Sequence, residues 1–94
     1  PGCSVEVPCL VDAQGIQPTV IGDLPAGCAG INAGSVAVQD CAVKGAQTGD
    51  KDLIHAAVAL DKYTSAVLTL NEIHEMVDEM FEAEAQWLPQ FQID

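Results

Sequence analysis

Arginine is missing from this sequence altogether, and lysine occurs only at Lys44, Lys51 and Lys62. Against these stand 14 acidic residues, for a formal net charge of -11. A chain so charged has little with which to neutralise phosphates, which argues against nucleic acid as a partner. Anionic membrane surfaces are disfavoured for the same reason. There is no apolar run near the roughly 20 residues needed to span a bilayer, and no signal-peptide pattern opens the chain. An initiator methionine is also missing, since the chain begins Pro1-Gly2, as expected for a piece of a longer protein. No C-x-x-C pair exists among Cys3, Cys9, Cys28 and Cys41. Two disulfides are formally possible, but the apolar contexts favour buried, reduced thiols and hence a cytoplasmic origin.

Equally absent are a nucleophile with its base, a glycine-rich phosphate loop, a recognisable carboxylate pair, internal repeats and low-complexity linkers. What remains is a chain of 94 residues, 49% of them hydrophobic. That apolar fraction is too high for disorder, and the length allows at most one small domain with a thin core.

The chain organises itself around Val5 to Pro25. Val5, Val7, Cys9 and Val11 alternate with polar positions such as Glu6 and Asp12, the period of a strand with one buried face. Asp12-Ala13-Gln14-Gly15 supplies turn chemistry, with Gly15 free to take positive φ. Ile16 to Ile21 forms the second strand, and Pro8 and Pro18 must lie at edges or bulges. Helices laid on the apolar face are needed to hold such a hairpin in water.

Ala26 to Gln47 reads as a helix with a stripe of Cys28, Ile31, Ser35, Val38 and Ala42, widened by Val36 and Val43. Gly30 and Gly34 predict close packing of this helix on the sheet. Gly49 suits a left-handed helix end, and Asp50 a cap for the next helix, Lys51 to Leu60. Asp61 to Ala66 is expected to be irregular. Thr69-Leu70-Asn71-Glu72 is a capping box, opening a helix with the stripe Ile73, Met76, Val77, Met80, Phe81, Trp87 and Leu88 that Pro89 ends. The fold class is therefore α+β: an N-terminal β-hairpin (1–25) packed on a helical part (26–94) of about three helices, one small domain.

Two histidines are the only hints of chemistry. His74-Glu75-Met76-Val77-Asp78 resembles the H-E-x-x-H zinc motif with Asp in the last place, putting His74 and Asp78 one turn apart on one helix face. The second histidine is missing and no third ligand is evident, so a solvated i, i+4 pair is expected. His55, among alanines and valines, is expected to be partly buried and hydrogen-bonded. No catalytic, cofactor-binding or metal residue is expected.

The strings VEVPCLVD, GDLP, TGD, YTSAVLTLNEI, VDEM and WLPQF, in this order, closely resemble the C-terminal end of glycoside hydrolase family 4. Within it they resemble the α-galactosidase and α-glucosidase type more than the phospho-sugar type. The hairpin and helix are also similar to the closing segment of lactate and malate dehydrogenases. The resemblance implies a parent enzyme that uses NAD and a divalent metal, typically manganese. Such an enzyme hydrolyses α-glycosides by transient oxidation and elimination rather than by two-carboxylate displacement. It further implies that the dinucleotide loop, metal-binding residues and catalytic base lie upstream of the matched region. This chain should then bind no cofactor and be inactive alone, serving to close the substrate domain, to meet a dinucleotide-binding domain or to self-associate. The alternative is a stand-alone acidic association module without activity.

Overall fold

A computed structural model describes residues 3–91. In order along the chain come β1 (Cys9–Asp12), β2 (Gly15–Pro18), α1 (Ala26–Thr48), α2 (Lys51–Leu60), α3 (Thr64–Val67) and α4 (Leu70–Ala83), then two 3₁₀ turns at Ala85–Trp87 and Pro89–Phe91. The α+β class expected from the sequence is the one found.

The hairpin is antiparallel, pairing Cys9 with Pro18, Leu10 with Gln17, Val11 with Ile16 and Asp12 with Gly15. Its turn follows the sequence logic. The Asp12 carboxylate accepts the Gln14 amide at 2.7 Å, and Gly15 holds φ at 111°, a value that side chains rarely tolerate. Just beyond the ladder, the Thr19 amide and hydroxyl both donate to the Pro8 carbonyl. With two strands each has an open outer edge, so proline is tolerated.

The expected burial of one hairpin face is not found within the chain. Every residue of β1 and β2 is exposed. Residues opposite one another share a face, so Cys9, Val11, Ile16 and Pro18 form an apolar surface that no helix covers. Val11 and Ile16 are 75% and 73% exposed. Helix α1 explains this. Residues 26–33 are exposed, including Cys28 and Ile31, and only from Gly34 onward does the helix settle onto the rest. The radius of gyration is 17.6 Å, against about 12 Å for a compact chain of this length.

Close helix packing occurs at a different glycine from those singled out in the sequence. Gly30 faces open space, and a Cβ at Gly34 would meet only the flexible stem of Lys62, whose ammonium donates to the Ile31 carbonyl at 2.7 Å. The buried glycine is Gly45, where a Cβ would lie 2.7 Å from Ile54 Cδ1. Helix α1 approaches α2 at that point. Gly49 then ends α1 at φ 75° and donates its amide to the Gly45 carbonyl. The Asp50 carboxylate caps α2 by accepting the Asp52 and Leu53 amides.

Asp61 to Ala66 is more regular than expected, since a short helix begins at Thr64. The Asp61 carboxylate takes both the amide and the hydroxyl of Thr64 at 2.9 Å, and the amide first, then the hydroxyl, hold its pKa below the ordinary value. The predicted capping box is present in full: Thr69 accepts the Glu72 amide while Glu72 accepts the Thr69 amide. That amide and then the Thr69 hydroxyl depress the Glu72 pKa.

The core is small. Ala57, Ile73, Val77 and Phe91 are its buried apolar residues. The stripe on α4 is narrower than predicted, because Met80 is 58% and Trp87 71% exposed. The helix also stops at Ala83 instead of running to Pro89. Two tight turns bring Phe91 back onto Phe81, ring centroids 5.0 Å apart, and its burial decides the shape of this end. The thiols depart from expectation as well: Cys3, Cys9 and Cys28 are exposed and Cys41 is half-buried. Cys3, Cys9 and Cys28 lie on the hairpin, its lead-in and the outer half of α1, which the core does not reach, and Cys41 lies on the inner half. No helix of the described residues is long and apolar enough to cross a membrane.

Candidate functional site

Where α2 and α4 pack, three polar side chains meet. His55 sits in the middle of α2, held there by the Asp50 cap, and it is buried among the residues that face α4. His74 and Asp78 lie one turn apart on α4, whose start is fixed by the capping box. His55 Nε2 is 3.0 Å from Asp78 Oδ1, and His74 Nδ1 is 4.0 Å from Asp78 Oδ2. The two imidazoles stack, with centroids 3.8 Å apart and planes inclined by 14°. His55 Nδ1 is buried and has no hydrogen-bond partner.

The cluster lies between two surface hollows. One, of about 310 Å³, is lined by Asp52, His55, Ala56, Leu70, Ile73 and His74 among others. The other, of about 340 Å³, takes in Asp78, Lys51, Phe81, Glu82 and Phe91. Lys51 stands 5.6 Å from the centre of the Phe81 ring, on the side where Phe81 meets Phe91. Both hollows are open to solvent, and neither brings a nucleophile to a base.

Sequence reasoning named all three residues and missed their meeting. The expected i, i+4 pair of His74 and Asp78 is present only at 4.0 Å, too long for a hydrogen bond. The closer partner of Asp78 is His55, 23 positions earlier in the chain. His55 is buried more completely than predicted, with an Asp78 carboxylate oxygen close to its Nε2. The signal that could have joined them is the phase of the two helices: His55 and Ala57 are buried on α2, as Ile73 and Val77 are on α4. Together the three residues offer donor atoms within 4.8 Å of one another.

A dinucleotide finds no comparable fit. The described residues contain no strand running through a glycine-rich turn into a helix, the geometry that cradles a pyrophosphate. Instead an antiparallel hairpin leads through Gly22-Asp23-Leu24-Pro25 into α1.

Comparison with known proteins adds the family. The model of the family 4 glycosyl hydrolase C-terminal domain matches residues 1–64. An alpha-galactosidase of Rhizobium meliloti (strain 1021) is 44% identical over 87 residues, 93% of this chain and 18% of that protein. An alpha-galactosidase of Bacillus subtilis (strain 168) is 36% identical over 87 residues, 93% of this chain and 20% of that protein. A protein named as a probable 6-phospho-beta-glucosidase of the same Bacillus strain is 31% identical over 88 residues, 94% of this chain and 19% of its own length. The chain thus spans about one fifth of the length of the curated relatives it matches. No solved structure matches it.

Proposed function

The chain belongs to glycosyl hydrolase family 4, to the C-terminal domain of those enzymes, and on that premise we propose that it is the closing segment of an alpha-galactosidase. The observation that carries this reading is the similarity to two alpha-galactosidases along 93% of the chain, at 36% and 44% identity. The lower identity to the phospho-glucosidase, 31%, favours a non-phosphorylated α-galactoside as substrate of the whole enzyme. The absence of arginine from this segment agrees with that, since arginine is the residue best shaped to hold a phosphate.

In this reading the whole enzyme works in the cytoplasm by the oxidation and elimination route of its family, with NAD and a divalent metal supplying hydride and Lewis-acid chemistry. No step of that reaction is assigned to a residue of this chain, whose described residues offer no dinucleotide cradle. The chain alone is accordingly expected to leave nitrophenyl α-galactoside intact in the presence of NAD, manganese and reductant. A longer protein that includes it should hydrolyse the same compound and lose turnover when NAD is withdrawn. NAD-dependent turnover by the 94 residues alone would overturn the division of labour. A longer protein that prefers phosphorylated glucosides would overturn the substrate.

The role left to the segment is association. Cys9, Val11, Ile16 and Pro18 form a bare apolar face, and Trp87 and Met80 stand out at the other end. Uncovered apolar surface of this kind marks an interface with another domain or subunit. The isolated chain is expected to self-associate, most simply as a dimer. A net charge of -11 opposes this, and salt screens such repulsion over about 8 Å at physiological ionic strength. Sedimentation equilibrium should therefore find tighter association as salt rises. A monomer at every salt and protein concentration would remove the association role.

A further inference from the structure

We propose that His55, His74 and Asp78 form a binding site for one divalent transition-metal ion of the zinc and cobalt class, clamping α4 onto α2. The inference stands independently of the proposed glycosidase function.

Three observations carry it. First, the donor set is right: two imidazoles and one carboxylate from two helices, with donor atoms within 4.8 Å of one another. Three such ligands leave further positions for water, as in open zinc sites. Two nitrogens and one oxygen suit zinc, cobalt or nickel better than calcium, magnesium or manganese, which favour oxygen-rich shells.

Second, the spacing is close to what an ion needs. Ligands on a tetrahedral zinc stand about 3.3 Å apart. His55 Nε2 and Asp78 Oδ1 are 3.0 Å apart, and His74 Nδ1 lies 4.0 Å from the other Asp78 oxygen. Stacked rings cannot aim their in-plane lone pairs at one ion, so His74 must swing off His55, a movement open to it and to Asp78 at 62% and 60% exposure. His55, 9% exposed, is the fixed post.

Third, the cluster is poorly satisfied by its own hydrogen bonds. Only the contact between His55 and Asp78 reaches hydrogen-bond length within it, and the buried Nδ1 of His55 has no partner. Buried polar atoms are normally paired, and this Nδ1 is not. Ligation through Nε2 transfers the ring proton to Nδ1. Ligating histidines usually donate that second proton to an acceptor. The hollow beside His55 contains one carboxylate, Asp52, one turn earlier on α2.

The test uses zinc and cobalt chloride as probes on the whole chain, with its four cysteines alkylated to remove competing thiolates. Calorimetry should find one zinc ion per chain and a higher melting temperature with the ion present, because it binds only the folded state. Cobalt should broaden the imidazole proton resonances of both His55 and His74. His74→Ala and Asp78→Asn, both on the solvent side, should each weaken binding on the order of tenfold or more while circular dichroism stays unchanged. Glu82→Gln, an exposed acid on the same helix, should leave it intact. No binding by the parent chain, or binding that survives both substitutions, would overturn the site, as would broadening of only one histidine.

Discussion

Ile73→Ala should cost this chain about 2–5 kcal/mol, whereas Met80→Ala should stay within about 0.5 kcal/mol. Both residues belong to the apolar stripe of α4, and the sequence does not separate them. In the structure Ile73 is 1% exposed and Met80 58%. Truncating Ile73 leaves a void where α4 packs on α2, in the company of His55 and Ala56. A domain of this size has a total stability of order 5–15 kcal/mol, and the core has few other large residues to compensate. Urea unfolding followed by circular dichroism, at protein concentrations where the chain is monomeric, measures the difference. Equal losses in the two variants would mean that the α4 stripe is covered as far as Met80.

Gly49→Ala is expected to be the most damaging of the glycine substitutions, and Gly30→Ala to be neutral or stabilising. Gly49 terminates α1 at φ 75°, where an L side chain alone costs about 1–2 kcal/mol. Its Cβ would also run into the Gln90 carbonyl, pushing away the turn that carries the buried Phe91. Strain and lost burial thus act together. At Gly30 a Cβ would meet nothing within 4 Å, and alanine in a helix interior gains up to about 1 kcal/mol over glycine. Thermal unfolding should therefore move in opposite directions for the two variants. A loss at Gly49 no larger than the change at Gly30 would show that Gln90 does not pack where the structure places it.

How much was legible follows from how far each signal reaches along the chain. Asp12 with Gly15, Asp50 with the amides after it, and Thr69 with Glu72 act over two to three positions. Those turns and caps were readable because their donors and acceptors are near neighbours. Resemblance in the VEVPCLVD, GDLP and WLPQF blocks likewise needed no coordinates. The pairing of His55 with Asp78 spans 23 positions, and nothing local announces it. Periodicity marks which residues share a face but not whether anything covers that face.

By itself, then, the sequence determined the hairpin turn, the starts of α1, α2 and α4, the α+β class and the family, because local hydrogen bonds and residue pattern suffice for each. Only the tertiary structure decided which apolar residues are buried. Helix α1 is 23 residues long, and α2 and α4 are too short to reach its outer half or the hairpin. The core therefore gathers at Ile73, Val77 and Phe91, leaving Val11 and Ile16 bare. The same packing of α4 on α2 brings two histidines and an aspartate together, since side chains distant in sequence can converge only where their helices touch.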